Sequence, residues 1–342
     1  MKTLSIRGRA GTCTLMVGAC LDEVKRYLPP GEVIILTDPN VLLHHGSRFI
    51  PGESIVMGAG EKAKTLDTVR SIYEKLVERG ADRSCFILGI GGGVVCDVAG
   101  FVASTYLRGV RFGLVATTLL AQADAGAGGK NGVNVGGYKN MVGVIRQPEF
   151  VICDPELLRT LPKRELLSGF AEIVKHALIG DSNLFSFLEE HWEEALGLEG
   201  GVLERIVFDS LLVKASVVNR DETERGERRI LNFGHTFGHA IESTAGVSHG
   251  EAVSAGMVIA SRCSREKGYL TSQDLERILG LLGHMGLPTG LGLEGKRVME
   301  AVLKDKKRTG ERVGLVLLKG IGKAIIQETG IRDLEVIAGR WL

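Results

Sequence analysis

Four side chains in the sequence have the types and the spacing of a catalytic metal site. His235 and His239 lie four residues apart, His249 follows them, and Glu172 supplies a carboxylate from upstream. Residues at positions i and i+4 lie on one face of a helix, so the first two imidazoles point the same way. A catalytic zinc takes three imidazole or carboxylate ligands and keeps one position open for substrate. These residues therefore predict a catalytic divalent metal.

Two alternatives to this interpretation remain open. A single histidine on a helix face is more often a hydrogen-bonded core residue, although three close histidines, each beside a glycine, favour a metal. His176 lies four residues after Glu172 and could be a ligand in its place, while Lys175 would either pair with Glu172 or bind phosphate. The other histidines have no partner pattern, and we predict surface or loop positions for His44, His45, His191 and His284.

Glycine-rich segments indicate phosphate binding. The run at 91–97 joins a strand to a helix, where bare N–H groups could hold a pyrophosphate, although a plain tight turn explains it equally well. Asp38 follows a strand in the place of a ribose-binding acid, or it is only a turn former. Residues 126–137 are predicted as an ordered loop whose lysine and amides favour a phosphate or polyol ligand. Arg108 would add an anion contact or a favourable charge at a helix end.

The elements that would position these residues fall into two parts. The first part alternates β-branched runs with amphipathic stretches, which predicts a mostly parallel sheet covered by helices. Its strands are predicted at 32–37, 85–90 and 112–116, and its helices at 66–79 and 94–106. The second part is predicted to be helical from 163 to about 304 and to end in a hairpin over 313–327. We therefore predict two domains, residues 1–157 and 158–342.

Composition limits the possible partners. The 342 residues include 42 basic and 41 acidic side chains, so the charge gives no global case for nucleic acid. No apolar run approaches the length of a bilayer span, and the first residues do not resemble a signal peptide. The six cysteines form no C-x-x-C pair. Reduced thiols and a cytoplasmic location are therefore expected, without nucleic acid or membrane partners.

Taken together, the motifs resemble those of the 3-dehydroquinate synthases, which are sugar-phosphate cyclases. The most specific segments are GGGVVCDVAGF at 91–101, TTLLAQ at 117–122, GGK at 128–130, KNMVG at 139–143, NFGHTFGHA at 232–240 and HGEAV at 249–253. The resemblance implies a Rossmann-like α/β N-terminal domain that binds NAD and a helical C-terminal domain that binds metal and substrate. It also implies zinc or cobalt as the metal and a homodimer as the assembly.

Carried over position by position, the resemblance implies three sets of site residues. The implied metal ligands are Glu172, His235 and His249. NAD contacts are implied for Asp38, Asn40, Glu61, Lys64, Gly92, Gly93, Val94, Val95, Asp97, Thr117, Thr118, Lys130, Lys139 and Thr160. Substrate-binding or catalytic roles are implied for Arg108, Asp124, Lys130, Asn140, Lys175, Lys214, Arg229, Asn232, His239 and Lys306.

The implied reaction converts 3-deoxy-D-arabino-heptulosonate 7-phosphate to 3-dehydroquinate and phosphate in the shikimate pathway of aromatic amino acid biosynthesis. It proceeds by transient oxidation, phosphate elimination, re-reduction and intramolecular aldol closure, so NAD is bound without net consumption. The alternatives are a cyclase that forms a valiolone, an inosose or an aminated dehydroquinate, a metal-dependent NAD polyol dehydrogenase, and a protein that only binds nucleotide. The dehydrogenase is disfavoured because a neutral polyol requires no cationic set such as Lys130, Lys175 and Lys214.

Overall fold

The computed structural model describes residues 1–8, 11–304 and 312–341. The chain divides into two compact units, the first formed by Met1–Leu161 and Leu203–Thr223, and the second by Pro162–Val202 and Glu224–Leu342. The boundary predicted between residues 157 and 158 lies close to Leu161. The sequence did not indicate that Leu203–Thr223 belongs with the first unit. Within the described ranges, no helix has both the length and the apolar character needed to cross a bilayer.

The first unit is built on a seven-stranded sheet. Its strands, in chain order, are β1 (Lys2–Gly8), β2 (Gly11–Val17), β3 (Val33–Thr37), β4 (Ser54–Val56), β5 (Phe86–Gly91), β6 (Arg111–Ala116) and, after a separate hairpin of β7 (Lys130–Val135) and β8 (Tyr138–Ile145), β9 (Phe150–Cys153). The spatial order is β1-β2-β9-β6-β5-β3-β4, with only β1 and β2 antiparallel. The α-helices among its first 161 residues are α1 (Pro39–His45), α2 (Leu66–Glu78) and α3 (Gly93–Thr105).

The centre of this sheet is buried on both faces. Every residue of β5 is buried, which is why this strand is a continuous apolar run rather than an alternating one. The ring of Phe86 at the start of β5 stacks on Phe150 of β9, with the ring centroids 5.9 Å apart. Because parallel strands end at one edge of the sheet, the loops after β3, β5 and β6 lie where such sheets bind ligands.

The glycine-rich segment at 126–137, which we predicted as a loop, is instead partly β-structure. Strands β7 and β8 form an antiparallel hairpin in which Gly132 lies opposite Gly143. A Cβ on Gly132 would lie 2.8 Å from the carbonyl oxygen of Val142, and one on Gly143 would lie 2.5 Å from that of Asn131. The prediction of an ordered loop was wrong because these glycines permit the close approach of two paired strands.

The second unit is mainly helical. Its helices are α4 (Lys163–Gly180), α5 (Ser182–Glu190), α6 (Trp192–Leu196), α8 (His235–Ala245), α9 (His249–Glu266), α10 (Ser272–His284), α11 (Gly295–Lys304) and α12 (Ile331–Trp341), whereas most of α7 (Gly200–Arg220) belongs to the first unit. The predicted hairpin is confirmed as β10 (Arg312–Leu318) paired with β11 (Ala324–Gly330). The predicted fold class, an α/β part followed by a helical part, is therefore confirmed.

Candidate functional site

Three of the side chains singled out from the sequence converge in the second unit. Glu172 lies in the middle of α4, and His235 and His249 are the first residues of α8 and α9. One ligand atom from each lies within 4.8 Å of the others. Nε2 of His249 is 3.1 Å and Nε2 of His235 is 3.4 Å from Oε1 of Glu172. This donor set of one carboxylate and two imidazoles matches the chemistry of a catalytic zinc site.

Close helix packing brings these three residues together. A Cβ on Gly256 of α9 would lie 1.9 Å from the carbonyl oxygen of Gly234, the residue that precedes α8. At the start of α9, a Cβ on Gly250 would lie 2.5 Å from Cα of Ser168 in α4. Gly250, which follows His249, and Gly256 therefore permit the close approach of a neighbouring backbone.

Glu172 is held as an anion in a fully buried place. Burial would raise the pKa of Glu172, but the adjacent Lys175 ammonium and the His235 imidazole hold it well below its ordinary value. Lys175 contacts Oε2 of Glu172 directly. His176, the alternative ligand that the helical spacing left open, does not belong to the group formed by Glu172 and the two histidines. Burial lowers the pKa of His235, which favours the neutral ring that a metal requires.

Three further residues with roles implied by the resemblance belong to the second unit. The ring of His239 is edge-on to that of His235, with the centroids 5.1 Å apart. Arg229 is accessible and pairs with Glu328, Nη2 to Oε1 at 3.3 Å. Nδ2 of Asn232 donates to Oε1 of Glu224 at 2.6 Å. The roles implied for His239, Arg229 and Asn232 stay predictions, and Lys306 lies outside the described residues.

The glycine-rich segment at 91–97 has the strand-to-helix geometry that the sequence predicted for it. Strand β5 ends at Gly91, and α3 begins at Gly93. A Cβ on Gly91 would lie 2.4 Å from Cβ of Val95, and one on Gly92 would lie 2.9 Å from Cγ2 of Thr118. The backbone N–H groups at the start of α3, including that of Val94, thus lie at a helix N-terminus whose preceding glycines leave no room for larger side chains.

A polar cluster lies beside this segment. The ammonium of Lys64, which is 5% exposed, donates to Oδ2 of Asp97 at 2.5 Å and to Oδ1 of Asn140 at 2.6 Å. Burial raises the pKa of Asp97 to about 6, although the Lys64 charge opposes this rise. Glu61 accepts a hydrogen bond from Nδ2 of Asn134 at 2.7 Å. The structure therefore brings together four of the residues implied for NAD and substrate, whose binding roles stay predictions.

Four other residues implied for NAD or substrate lie in the first unit and differ in their exposure and hydrogen bonds. Oδ1 of Asp38 caps α1 by accepting from the N–H groups of Asn40 and Val41, so the turn-forming role considered from the sequence is observed. Thr117 is buried, and its N–H donates to the carbonyl of Gly91 at 3.0 Å. The side chains of Lys130 and Lys139 are exposed.

The Asp124–Lys214 pair joins two residues implied for substrate. Lys214 donates to the carbonyl oxygen of Asp124 at 2.5 Å and to its Oδ1 at 2.6 Å. Arg108 follows α3 with a φ of 68°, directly after Leu107 with a φ of 49°. Consecutive left-handed conformations in residues other than glycine are strained, and such strain is concentrated at functional positions.

The comparisons with known proteins agree with this arrangement. Residues 54–168 match the protein-family model described as 3-dehydroquinate synthase N-terminal, and residues 169–308 match the family model described as 3-dehydroquinate synthase C-terminal. The 3-dehydroquinate synthase of Desulforamulus reducens is 40% identical over 340 residues, 94% of each chain. That of Halorhodospira halophila is 45% identical over 308 residues, 88% of this chain and 87% of its own.

The chain belongs to the 3-dehydroquinate synthase family.

Solved structures of related cyclases share the fold of this 3-dehydroquinate synthase family member. A 2-deoxy-scyllo-inosose synthase complexed with carbaglucose-6-phosphate, NAD+ and Co2+ is 27% identical, covers all of both chains and has a TM-score of 0.90. The 2-epi-5-epi-valiolone synthase of Streptomyces hygroscopicus, with NAD+ and Zn2+ bound, is 26% identical over 98% of both chains, with a TM-score of 0.88. A probable glycerol dehydrogenase of Sinorhizobium meliloti, at 17% identity and a TM-score of 0.66, shares the fold alone.

In this 3-dehydroquinate synthase family member, the structure corrects the prediction for His45 and places Glu242 beside one of the implied metal ligands. His45 was predicted at the surface or in a loop, but it lies in α1, is 6% exposed, and its Nε2 lies 3.0 Å from Oγ1 of Thr160. That prediction was wrong because the partner lies 115 residues away in the sequence. Glu242 was not singled out, yet its Oε2 lies 3.5 Å from Nδ1 of His249. Its signal was present, since Glu242 follows His235 by seven residues, two helical turns on the same face.

Proposed function

We propose that the chain has 3-dehydroquinate synthase activity and depends on NAD and a divalent metal ion. It would convert 3-deoxy-D-arabino-heptulosonate 7-phosphate to 3-dehydroquinate and phosphate as a carbon–oxygen lyase. The observation that carries the proposal is the convergence of Glu172, His235 and His249, in a chain 40–45% identical to proteins named for this activity. Zinc or cobalt suits this donor set because both accept imidazole and carboxylate ligands.

Residues of the second unit would bind the metal and transfer protons near it. When bound, the metal would polarise substrate oxygens, and NAD would accept a hydride and return it. Glu172 remains ionised because Lys175 lies beside it, so it can serve as the anionic ligand. The ring of His239 lies beside that of His235 but does not belong to the group of three proposed ligands, so its ring nitrogen would be available to transfer a proton.

The cationic residues fit a substrate that carries both a phosphate and a carboxylate. Lysine ammonium and arginine guanidinium groups bind such anions through charge-assisted hydrogen bonds. A neutral polyol would gain nothing from these charges, which favours the cyclase over the dehydrogenase alternative. The proposed anion-binding residues are Arg108, Lys130, Lys175, Lys214 and Arg229.

Release of phosphate without net reduction of NAD+ tests this function. The metal-loaded protein is incubated with 3-deoxy-D-arabino-heptulosonate 7-phosphate and substoichiometric NAD+, while released phosphate and NADH absorbance are followed together. We expect many equivalents of phosphate per NAD+ without accumulation of NADH, because the hydride is returned within each turnover. The Glu172→Gln variant, which keeps the side-chain shape and loses the ligand charge, should release phosphate at a rate lowered by about a hundredfold or more.

The same assay has clear contrary outcomes. Glucose 6-phosphate, which lacks the carboxylate, serves as the comparison substrate. Phosphate release from it alone would support an inosose-forming cyclase, and steady NADH production from glycerol would support a polyol dehydrogenase. Binding of NAD without any turnover would support a protein that only binds nucleotide. We also propose a cytoplasmic homodimer, and light scattering of the purified protein would contradict this if it gave the mass of one chain.

A further inference from the structure

The carboxylate of Glu242 lies behind one of the proposed metal ligands. Helix α8 presents His235, His239 and Glu242 at positions i, i+4 and i+7, which share one face. Oε2 of Glu242 is 3.5 Å from Nδ1 of His249 at the start of α9. The opposite nitrogen of that ring, Nε2, is 3.1 Å from Oε1 of Glu172. The imidazole of His249 therefore stands between two carboxylates.

The second histidine has the same orientation. Nε2 of His235 faces Oε1 of Glu172 at 3.4 Å, and its Nδ1 lies 3.1 Å from the carbonyl oxygen of Phe233. In both rings Nε2 points toward the shared carboxylate and Nδ1 points toward an oxygen acceptor. The acceptor is a neutral carbonyl for His235 and a carboxylate for His249. In both rings Nε2 is therefore the nitrogen that faces the shared carboxylate.

We propose that Glu242 is a positioning residue that prepares His249 to bind the metal. By accepting the hydrogen of Nδ1, it selects the tautomer in which the lone pair of Nε2 is free, and it fixes the plane of the ring. A carboxylate acceptor also increases the basicity of the coordinating nitrogen, which a carbonyl does less strongly. The inference rests on the metal of the proposed function and assigns Glu242 no contact with that metal.

The partly buried surroundings support this role. The side chain of Glu242 is 19% exposed and that of His249 is 28% exposed, so water competes only in part for the contact between them. Only residues 243–248 separate Glu242 from His249 along the chain, because α8 ends at Ala245 and α9 begins at His249. The left-handed Gly246, with a φ of 66°, reverses the chain within this short connection.

Zinc affinity of the full-length protein tests the proposal directly. The metal-free wild type and the Glu242→Ala and Glu242→Gln variants are titrated with zinc against a chromophoric chelator. We expect Glu242→Ala to bind zinc about ten- to a hundredfold more weakly, the range typical for residues that support a ligand. Glu242→Gln keeps an acceptor oxygen without the charge and should give an intermediate affinity. Glu276→Gln, an exposed site on α10, makes the same charge change as a control.

A second measurement separates a positioning role from a general loss of structure. The thermal unfolding of the metal-free variants should match that of the metal-free wild type, while their zinc-induced stabilisation should be smaller. Wild-type zinc affinity in both Glu242 variants would overturn the inference, as would an equal loss in Glu276→Gln. If the wild type itself bound no zinc, this inference and the metal dependence in the proposed function would both be wrong.

Discussion

The carboxamide of Asn131 occupies the space in which a side chain at Gly100 would lie. A Cβ on Gly100 of α3 would be 1.9 Å from Oδ1 of Asn131. From the same carboxamide, Nδ2 donates to the carbonyl oxygens of Gly129 and Arg146, each at 2.9 Å. One buried side chain therefore joins the two ends of the β7–β8 hairpin and seats it against α3. The hairpin carries Lys130, one of the residues implied for substrate and NAD.

Substitution of Gly100 tests this close approach. In most helix interiors Gly→Ala is stabilising by about 0.5–1 kcal/mol, because alanine has less freedom to lose. At this position the added methyl would overlap Asn131, so we expect Gly100→Ala to destabilise the protein by about 1–3 kcal/mol. Urea unfolding monitored by circular dichroism measures the change. Combining it with Asn131→Ala should remove most of the penalty, and an unchanged penalty would mean that another neighbour is responsible.

Removal of the Lys64 charge tests the polar cluster beside α3. Lys64→Met leaves Asp97 and Asn140 without the ammonium that holds them. We expect NAD affinity to fall about ten- to a hundredfold, since a hydrogen bond to a charged group contributes roughly 1.5–3 kcal/mol. Isothermal titration with NAD+ measures this. Lys62→Met, an exposed lysine two residues earlier, is the matched control. Equal affinities in both variants would show that the cluster does not support the nucleotide.

Loss of one imidazole tests the metal group itself. We expect His235→Ala to weaken zinc binding by more than about a hundredfold, beyond the effect typical of a residue that only supports a ligand. Elemental analysis after dialysis should find about one zinc per wild-type chain and almost none in the variant. His284→Ala removes an exposed histidine stacked on Trp192 in the same unit and should retain zinc. Full zinc content in His235→Ala would exclude it as a ligand.

The metal-free protein should lose stability as the pH rises through the range in which His249 titrates. Burial lowers the pKa of His249, but hydrogen bonds to Glu172 and Glu242 outweigh it and raise the pKa from 6.5 to about 9. The folded state therefore binds this proton more tightly than the unfolded state. The resulting stabilisation is complete below pH 6.5 and disappears as the pH rises through 9.

Chemical unfolding of the chelator-treated protein at several pH values measures this dependence. The unfolding free energy of the wild type should fall between pH 6.5 and 9, and that of His249→Gln should fall less over the same window. Parallel pH profiles for the two proteins would show that His249 is not the titrating group.

Elements with a strong periodic pattern were predictable from the sequence, and close backbone contacts were not. The continuous apolar run of β5 and the amphipathic α2 are observed within one or two residues of their predicted ends. The N-terminal β1–β2 hairpin was missed because most residues of β1 are exposed, which leaves little apolar alternation. Helix α12 was also missed. The β7–β8 hairpin was read as a loop because glycines at strand positions carry no β signal.

The candidate site shows a similar division. The spacing of His235 and His239 predicted a shared helix face, and the structure brings His249 and Glu172 to the first of them. Spacing alone did not decide between Glu172 and His176, because both lie on one face of α4, and the structure brings His235 and His249 to Glu172. The prediction for His45 was wrong because the local sequence does not distinguish it from its neighbour His44. The burial of His45 depends on contacts with residues that are distant in the sequence.

The position of both proposed imidazole ligands at the first residue of a helix has an electrostatic consequence. The peptide dipoles of α8 and α9 place partial positive charge at those ends, and such charge repels a cation. Among the three donors, the single formal negative charge that opposes this repulsion is that of Glu172. A neutral amide there would leave the ion facing two like-signed helix termini, so the carboxylate contributes more to retention than its share of the bonds suggests.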